Sequence, residues 1–214
     1  KCIEEWFDRN DPHPHPKSPV TRQSIGKTLK PVPLVRNTIK TLVDGGLLTG
    51  DAVDTWKAAV EKMERDKTWI KFLTERVAEG VPSSMVLLGG AYEHGYYGMK
   101  KDLVKALSHY ELAGASGSAE GAFRAAIMYQ RGTFAHGRFH AAENMKIAAV
   151  LGERSACAQM AKWYRDGTIY VMGIKNEQWA TFWFKKMREC TRTSLLVVSD
   201  LDEQAANEWL AAHP

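Results

Sequence analysis

Residues 88–95 read Leu-Gly-Gly-Ala-Tyr-Glu-His-Gly, and two related stretches follow further along the chain. Residues 126–132 read Ala-Ile-Met-Tyr-Gln-Arg-Gly, and residues 161–167 read Ala-Lys-Trp-Tyr-Arg-Asp-Gly. The three tyrosines stand 37 and 35 residues apart. A period of this size is typical of solenoids, in which each repeat buries its apolar face only against its neighbours. The sequence therefore predicts an all-α fold, a helical-hairpin solenoid of about three repeats.

The first copy shows how one hairpin is built. Leu88 and Tyr92 lie four residues apart on one helix face, and Gly89 between them lets a neighbouring helix approach closely. Gly95 is placed to end this helix, because the left-handed conformation of a C-terminal cap costs least at glycine. Asp102 is placed to cap the start of the next helix.

The later copies repeat this arrangement and differ mainly between their two helices, where solenoids tolerate insertions. We expect Gly89, Ala126 and Ala161 at helix contacts, facing Ala106, Ala141 and Ala180. The predicted helix pairs are 84–94 with 102–115, 119–131 with 139–151, and 154–166 with 176–190.

The Leu-Gly-x-x-Tyr-x-x-Gly pattern of residues 88–95 resembles the core of the Sel-1-like repeat, a relative of the tetratricopeptide repeat. Copies two and three match more loosely, since Ala126 and Ala161 replace the first glycine. The resemblance covers about half of the chain. Because the family consists of protein-interaction scaffolds, it implies a surface that binds protein partners, with no cofactor and no catalytic residues.

A second pattern occupies the first forty residues and resembles the C-terminal half of a U-box, a ubiquitin-ligase domain shaped like a RING without zinc. It consists of Ile3-x-x-Trp6, Ser18-Pro19-x-Thr21, Leu29-x-Pro31 and Val35-Arg36-x-x-Ile39. The resemblance implies that Pro19 lies on the face that binds a ubiquitin-conjugating enzyme and that Arg22 contacts ubiquitin. It implies no metal, and the histidines at positions 13 and 15 are interpreted as part of a solvated proline-rich loop.

This second match departs from the family in two ways. The family's Pro-Asn step is Pro31-Val32 here, and the first loop of a U-box would precede Lys1. We therefore expect ubiquitin transfer only from a longer form of the protein, and none from this chain alone.

Between the two patterns, apolar residues recur at helical spacing from Asp51 to about Glu79 and predict a long helix. The predicted organisation is a U-box-like segment at 1–48, a linker helix at 49–80, repeats at 81–190 and a capping segment at 191–214.

Composition narrows the functional classes. The net charge of +4 over 214 residues is too small and too evenly spread to indicate a nucleic-acid partner. No apolar run approaches the length of a membrane span. Three cysteines without paired spacing favour free thiols in a reducing intracellular compartment, and the sequence indicates no organelle.

Two functions remain open. The first is a scaffold whose repeats form the substrate-binding part of a U-box-type ubiquitin ligase, and the second is a non-catalytic structural subunit of a larger assembly with a degenerate U-box. Because interfaces favour tyrosine and arginine, we predict aromatic anchors at Tyr96 and Tyr97. The predicted polar edge of the binding surface consists of Glu93, Gln130, Arg131 and Arg165.

Overall fold

The structure is a computed structural model that describes residues 33–132, 134, 137–168, 170, 173–190 and 200–213, with side chains from residue 37 onward. Within this part of the chain every regular element is a helix. The helices are α1 Pro33–Asp44, α2 Asp51–Ala78, α3 Pro82–His94, α4 Leu103–Ala115, α5 Ala119–Gln130, α6 Gly137–Val150, α7 Arg154–Asp166, α8 Glu177–Glu189 and α9 Asp200–Ala212.

The chain divides into two compact units, Lys1–Ala59 and Val60–Pro214. In the described part of the first unit, α1 ends in a turn where the amide of Gly45 donates to the carbonyl of Thr41 at 2.9 Å. Gly46 follows with a φ of 69°, a conformation that glycine adopts without steric cost.

The second unit contains the three predicted hairpins, α3 with α4, α5 with α6, and α7 with α8. The local signals in the sequence account for the helix ends. Gly95 caps α3 in the left-handed region at a φ of 74°, and the carboxylate of Asp102 accepts a hydrogen bond from the amide of Lys105 at 3.0 Å. Both confirm the prediction.

The start of the second helix of a hairpin contacts the backbone of the tyrosine in the first helix. The amide of Asp102 donates to the carbonyl of Tyr92 at 2.9 Å, and the amide of Asn176 donates to the carbonyl of Tyr164 at the same distance. In the middle hairpin, Gly137 lies so close to Tyr129 that a Cβ on it would stand 2.7 Å from the tyrosine carbonyl oxygen. The first and third hairpins therefore share one hydrogen-bonded anchor, and the middle hairpin brings the corresponding positions close together, although the loops differ in length.

Small residues permit the close helix contacts. A Cβ on Gly89 would lie 2.7 Å from a ring carbon of Tyr110, and one on Gly121 would lie 2.5 Å from the Cβ of Ala113. The alanines predicted at helix contacts are all buried, namely Ala106, Ala126, Ala141, Ala161 and Ala180. Close approach of the helix backbones is therefore part of the packing of this fold, alongside its large side chains.

The last helix, α9, packs against α8. The indole Nε1 of Trp209 donates to the hydroxyl of Thr181 at 3.0 Å. Two ion pairs join α9 to α7, Arg154 with Glu203 at 3.0 Å and Lys162 with Asp202 at 2.7 Å. Among the described helices, none combines the length and apolar character needed to cross a membrane.

Candidate partner-binding site

A groove of about 660 Å³ runs between the first helices of the first two hairpins, α3 and α5. We call it the α3–α5 groove. Its lining includes the side chains of Val86, Leu87, His94, Tyr96, Tyr97 and Arg124. Gly90 and Ala91 also line it, and their small size keeps the groove open.

Two tyrosines form the rim of the groove where α3 ends. Tyr96 is 57% exposed and Tyr97 is 41% exposed, and their rings meet edge to face with centroids 6.3 Å apart. The ring of Tyr96 also lies 5.1 Å from that of His94. The structure thus brings both predicted aromatic anchors to one opening.

Tyr97 has an unusual backbone. Its φ is 57°, and it is the one residue other than glycine with a positive φ in the part of the chain that the structure describes. A non-glycine residue in this region carries strain and persists only where the surrounding structure imposes it. The loop therefore holds the Tyr97 side chain at the groove at a cost in stability.

Glu93, one of the residues predicted for the polar edge, is only 6% exposed. Its carboxylate accepts hydrogen bonds from the hydroxyl of Tyr110 at 2.9 Å and from the guanidinium of Arg131 at 2.6 Å. Burial alone raises the pKa of Glu93, but the hydrogen bonds from Arg131 and Tyr110 outweigh it, so the pKa lies below its ordinary value. Arg131 itself is exposed, so it is the guanidinium that reaches the surface.

The other two predicted residues lie apart from the α3–α5 groove. Gln130 lines a smaller cavity with Phe134 and Phe139. Arg165 forms an ion pair with its neighbour Asp166, with nitrogen–oxygen distances of 2.7 and 3.1 Å. The side chains of Pro19 and Arg22 fall outside the described residues.

Charged side chains at the far wall of the groove are fixed by their neighbours. The guanidinium of Arg124 contacts the carboxylate of Glu120 at 2.8 Å and lies over the ring of Tyr110, 5.8 Å from its centroid. Because the two opposite charges of this pair lie together, the groove wall is polar but nearly neutral. The groove is therefore distinguished mainly by its apolar and aromatic side chains.

Sequence reasoning missed a second groove, of about 770 Å³, among α6, α7 and α8. Its aromatic lining consists of Phe139, Trp163, Tyr164, Tyr170 and Trp179. The signal was present in the number of aromatic residues between positions 139 and 182, but periodicity assigns such residues to the core. No group of three or more His, Cys, Asp or Glu side chains within the described residues is placed to hold a metal ion.

Comparison with known proteins supports the architecture. The Sel1 repeat protein from Oxalobacter formigenes superposes with a TM-score of 0.54 at 18% identity, over 65% of this chain and 98% of that one. The chain has the Sel1-like repeat fold. A protective antigen of uropathogenic Escherichia coli that displays the same fold matches with a TM-score of 0.49 at 18% identity, over 66% of this chain and 32% of the antigen.

The sequence comparisons cover a smaller part of the chain. No family model matches the chain. Chitin synthase regulatory factor 1 of Schizosaccharomyces pombe is 33% identical over 91 residues, which are 41% of this chain. The chain covers only 20% of that relative's length. None of these comparisons supports the U-box resemblance, which stays a prediction.

Proposed function

We propose that this Sel1-like repeat chain is a protein-interaction scaffold that binds an extended apolar segment of a partner protein in the α3–α5 groove. The observation that carries the proposal is the strained backbone of Tyr97 at the rim of this groove. Strain of this kind is concentrated at binding and catalytic sites, because selection for stability alone removes it.

The exposed side chains of the groove fit this role. Leu87 is 50% exposed on the face of α3 that lines the groove. Together with Tyr96 and Tyr97 it offers an aliphatic and two aromatic contacts within one concave site. Tyrosine is enriched among the residues that dominate binding energy, and a polar surround such as Arg124 and Glu120 excludes water from them. The name of the matching relative, a regulatory factor, agrees with a protein that acts by binding.

The test is a selection of displayed peptides on the folded chain, followed by titration of the selected peptides. Leu87→Glu introduces a charge into the groove and is expected to weaken binding at least about tenfold, since it opposes burial of the apolar contact. Leu112→Glu on α4 is the matched control, because Leu112 is 47% exposed and does not line the groove. Equal affinity of the two variants would remove the groove from consideration.

A finer proposal is that the scaffold is the substrate-binding part of a U-box-type ubiquitin ligase, with Pro19 and Arg22 at the conjugating-enzyme contact. It rests on the sequence pattern of residues 3–39. A U-box acts by proximity and forms no covalent intermediate, so the groove would select the substrate and the U-box would position the thioester. The second candidate, suggested by the departures from the U-box pattern, is a non-catalytic subunit of a larger assembly.

A ubiquitin-transfer assay distinguishes these two candidates. It uses a form of the protein that carries the first U-box loop in addition to the segment with Pro19. The ligase proposal expects transfer that Pro19→Ala abolishes without a change in melting temperature. Absence of transfer, with Pro19→Ala silent, favours the structural subunit.

A further inference from the structure

Two cysteines that are distant in sequence meet in the third hairpin. Cys157 lies in the first turns of α7, and Cys190 is the C-terminal cap residue of α8. Their Sγ atoms are 3.8 Å apart, which is van der Waals contact, although the two cysteines are 33 positions apart in the sequence. Both are free thiols.

We propose that this pair is a modification site, at which hydrogen peroxide converts the two thiols into an intramolecular disulfide. A disulfide requires an Sγ–Sγ distance of about 2.05 Å, so the sulfur atoms must approach by roughly 1.8 Å. Cys190 is placed to supply this movement. Its backbone has left the helix, with φ −66° and ψ 123°, and its amide donates to the carbonyl of Lys186.

The different burial of the two thiols assigns their roles. Cys190 is partly exposed and can meet the peroxide, whereas Cys157 is fully buried and its thiol donates to the carbonyl of Ala149 at 3.4 Å. Burial raises the pKa of Cys157, and the neighbouring Cys190 adds to this effect. The positive charge of Lys186 opposes the rise and the carboxylate of Glu153 reinforces it. Cys190 is thus the attacking thiol and Cys157 the resolving thiol.

The reaction balances in two steps. The thiol of Cys190 first releases its proton, and the thiolate then attacks one oxygen of hydrogen peroxide. The O–O bond breaks to leave a sulfenic acid, and the leaving hydroxide takes up the released proton to give water. The sulfur of Cys157 then attacks the sulfur of Cys190, the S–O bond breaks, and the proton of Cys157 leaves with the hydroxyl group as a second water. Two thiols lose two electrons and one peroxide gains them.

The disulfide would join the start of α7 to the end of α8, within the hairpin against which α9 packs. A cross-link that closes a loop of this length restricts the unfolded chain and stabilises the folded one. The oxidised protein should therefore differ from the reduced one mainly in stability.

The experiment uses the full chain with Cys2→Ser, which leaves only the two cysteines of the pair. After brief exposure to hydrogen peroxide, we expect the intact mass to fall by two hydrogen atoms with no dimer on a non-reducing gel. Trypsin should release residues 155–162 linked to residues 189–192. The melting temperature should rise by about 5–10 °C and return to its original value with dithiothreitol.

Cys190→Ser in the same background is the control, because it retains Cys157 and removes the accessible thiol. It should show neither a loss of hydrogen nor a higher melting temperature. Three results would overturn the proposal: oxygen added to either thiol without a linked peptide, a disulfide between two chains, or thiols unchanged by peroxide. A linked form that melts no higher would contradict the cross-linking of a folded hairpin.

Discussion

The hydroxyl of Tyr110 donates a hydrogen bond of 2.9 Å to the buried carboxylate of Glu93, across the first hairpin. The same carboxylate accepts from Arg131, which lies at the end of α5 in the next hairpin. One acidic side chain therefore connects three successive helices of the solenoid. In a fold where each repeat contacts only its neighbours, such a connection contributes directly to the coupling between repeats.

Tyr110→Phe removes the hydroxyl and keeps the ring that packs against Gly89. Because hydrogen bonds to charged groups contribute about 1.5–3 kcal/mol, we expect the free energy of unfolding to fall by that order. Urea denaturation monitored by circular dichroism measures it. Tyr92→Phe is the control, since its hydroxyl has no hydrogen bond among the described residues, and an equal loss there would contradict the role of Glu93.

We expect Glu93 to contribute to the pH dependence of the free energy of unfolding. Its pKa in the folded protein is below the ordinary value, so on acidification the unfolded chain takes up the proton first. The stability that Glu93 contributes is therefore complete above its unfolded pKa and is lost as the pH falls through its folded pKa. In Glu93→Gln, unfolding free energies measured between neutral pH and about pH 3 should decline less steeply than in the unmodified protein. Parallel curves would contradict this assignment.

Two adjacent glycines offer a sharp comparison of packing with helix propensity. A Cβ on Gly89 would lie 2.7 Å from the ring of Tyr110, which is fully buried and has no room to shift. Gly89→Ala should therefore destabilise the protein by about 1–3 kcal/mol in spite of the better helix propensity of alanine. A Cβ on Gly90 would meet only the Tyr110 hydroxyl at 3.5 Å, an ordinary contact.

Gly90→Ala is consequently expected to be neutral or stabilising by up to about 1 kcal/mol. Melting temperatures of the two variants, compared in one experiment, check both expectations. If the two substitutions lower the melting temperature equally, the close approach of α3 and α4 at Gly89 is wrong.

Tyr97→Gly should separate stability from binding. Glycine adopts a φ of 57° without strain, so the variant is expected to melt higher, corresponding to about 1 kcal/mol. Because it lacks the aromatic ring, its affinity for groove-binding peptides should fall. Tyr97→Ala is the companion variant, with the same loss of affinity and no comparable gain in stability. If Tyr97→Gly changes neither the affinity for the peptides nor the melting temperature, the proposed role of the loop is wrong.

The helix pairs were predictable because their signals are local. The tyrosine period, the terminal Gly95 and the capping Asp102 each act within a few residues, and the structure places the helix ends close to those signals. The Sel1-like architecture followed from the same pattern. The position of each helix end depends on the residues of a single helical turn.

The site was less predictable, because its contacts join residues that no period relates. Glu93 finds Tyr110 and Arg131 at separations of 17 and 38 residues, and Cys157 finds Cys190 at 33. Sequence periodicity identifies which face of a helix is buried but not which neighbour it meets. Glu93 was therefore expected at a surface edge, and the cysteines were expected to be free thiols, with nothing in their spacing to indicate that two of them meet.

The anchor between each tyrosine carbonyl and the start of the following helix has a practical consequence. Asp102 follows Tyr92 by ten positions in the sequence and Asn176 follows Tyr164 by twelve, yet both pairs close with a hydrogen bond of 2.9 Å. Since both ends of such a loop are held at a fixed separation, its length is decoupled from the geometry of the hairpin. The loop after Tyr164 carries none of the residues that line the α3–α5 groove, so it is a natural graft point, where a foreign epitope or a fluorescent tag can be inserted while the helices keep their register.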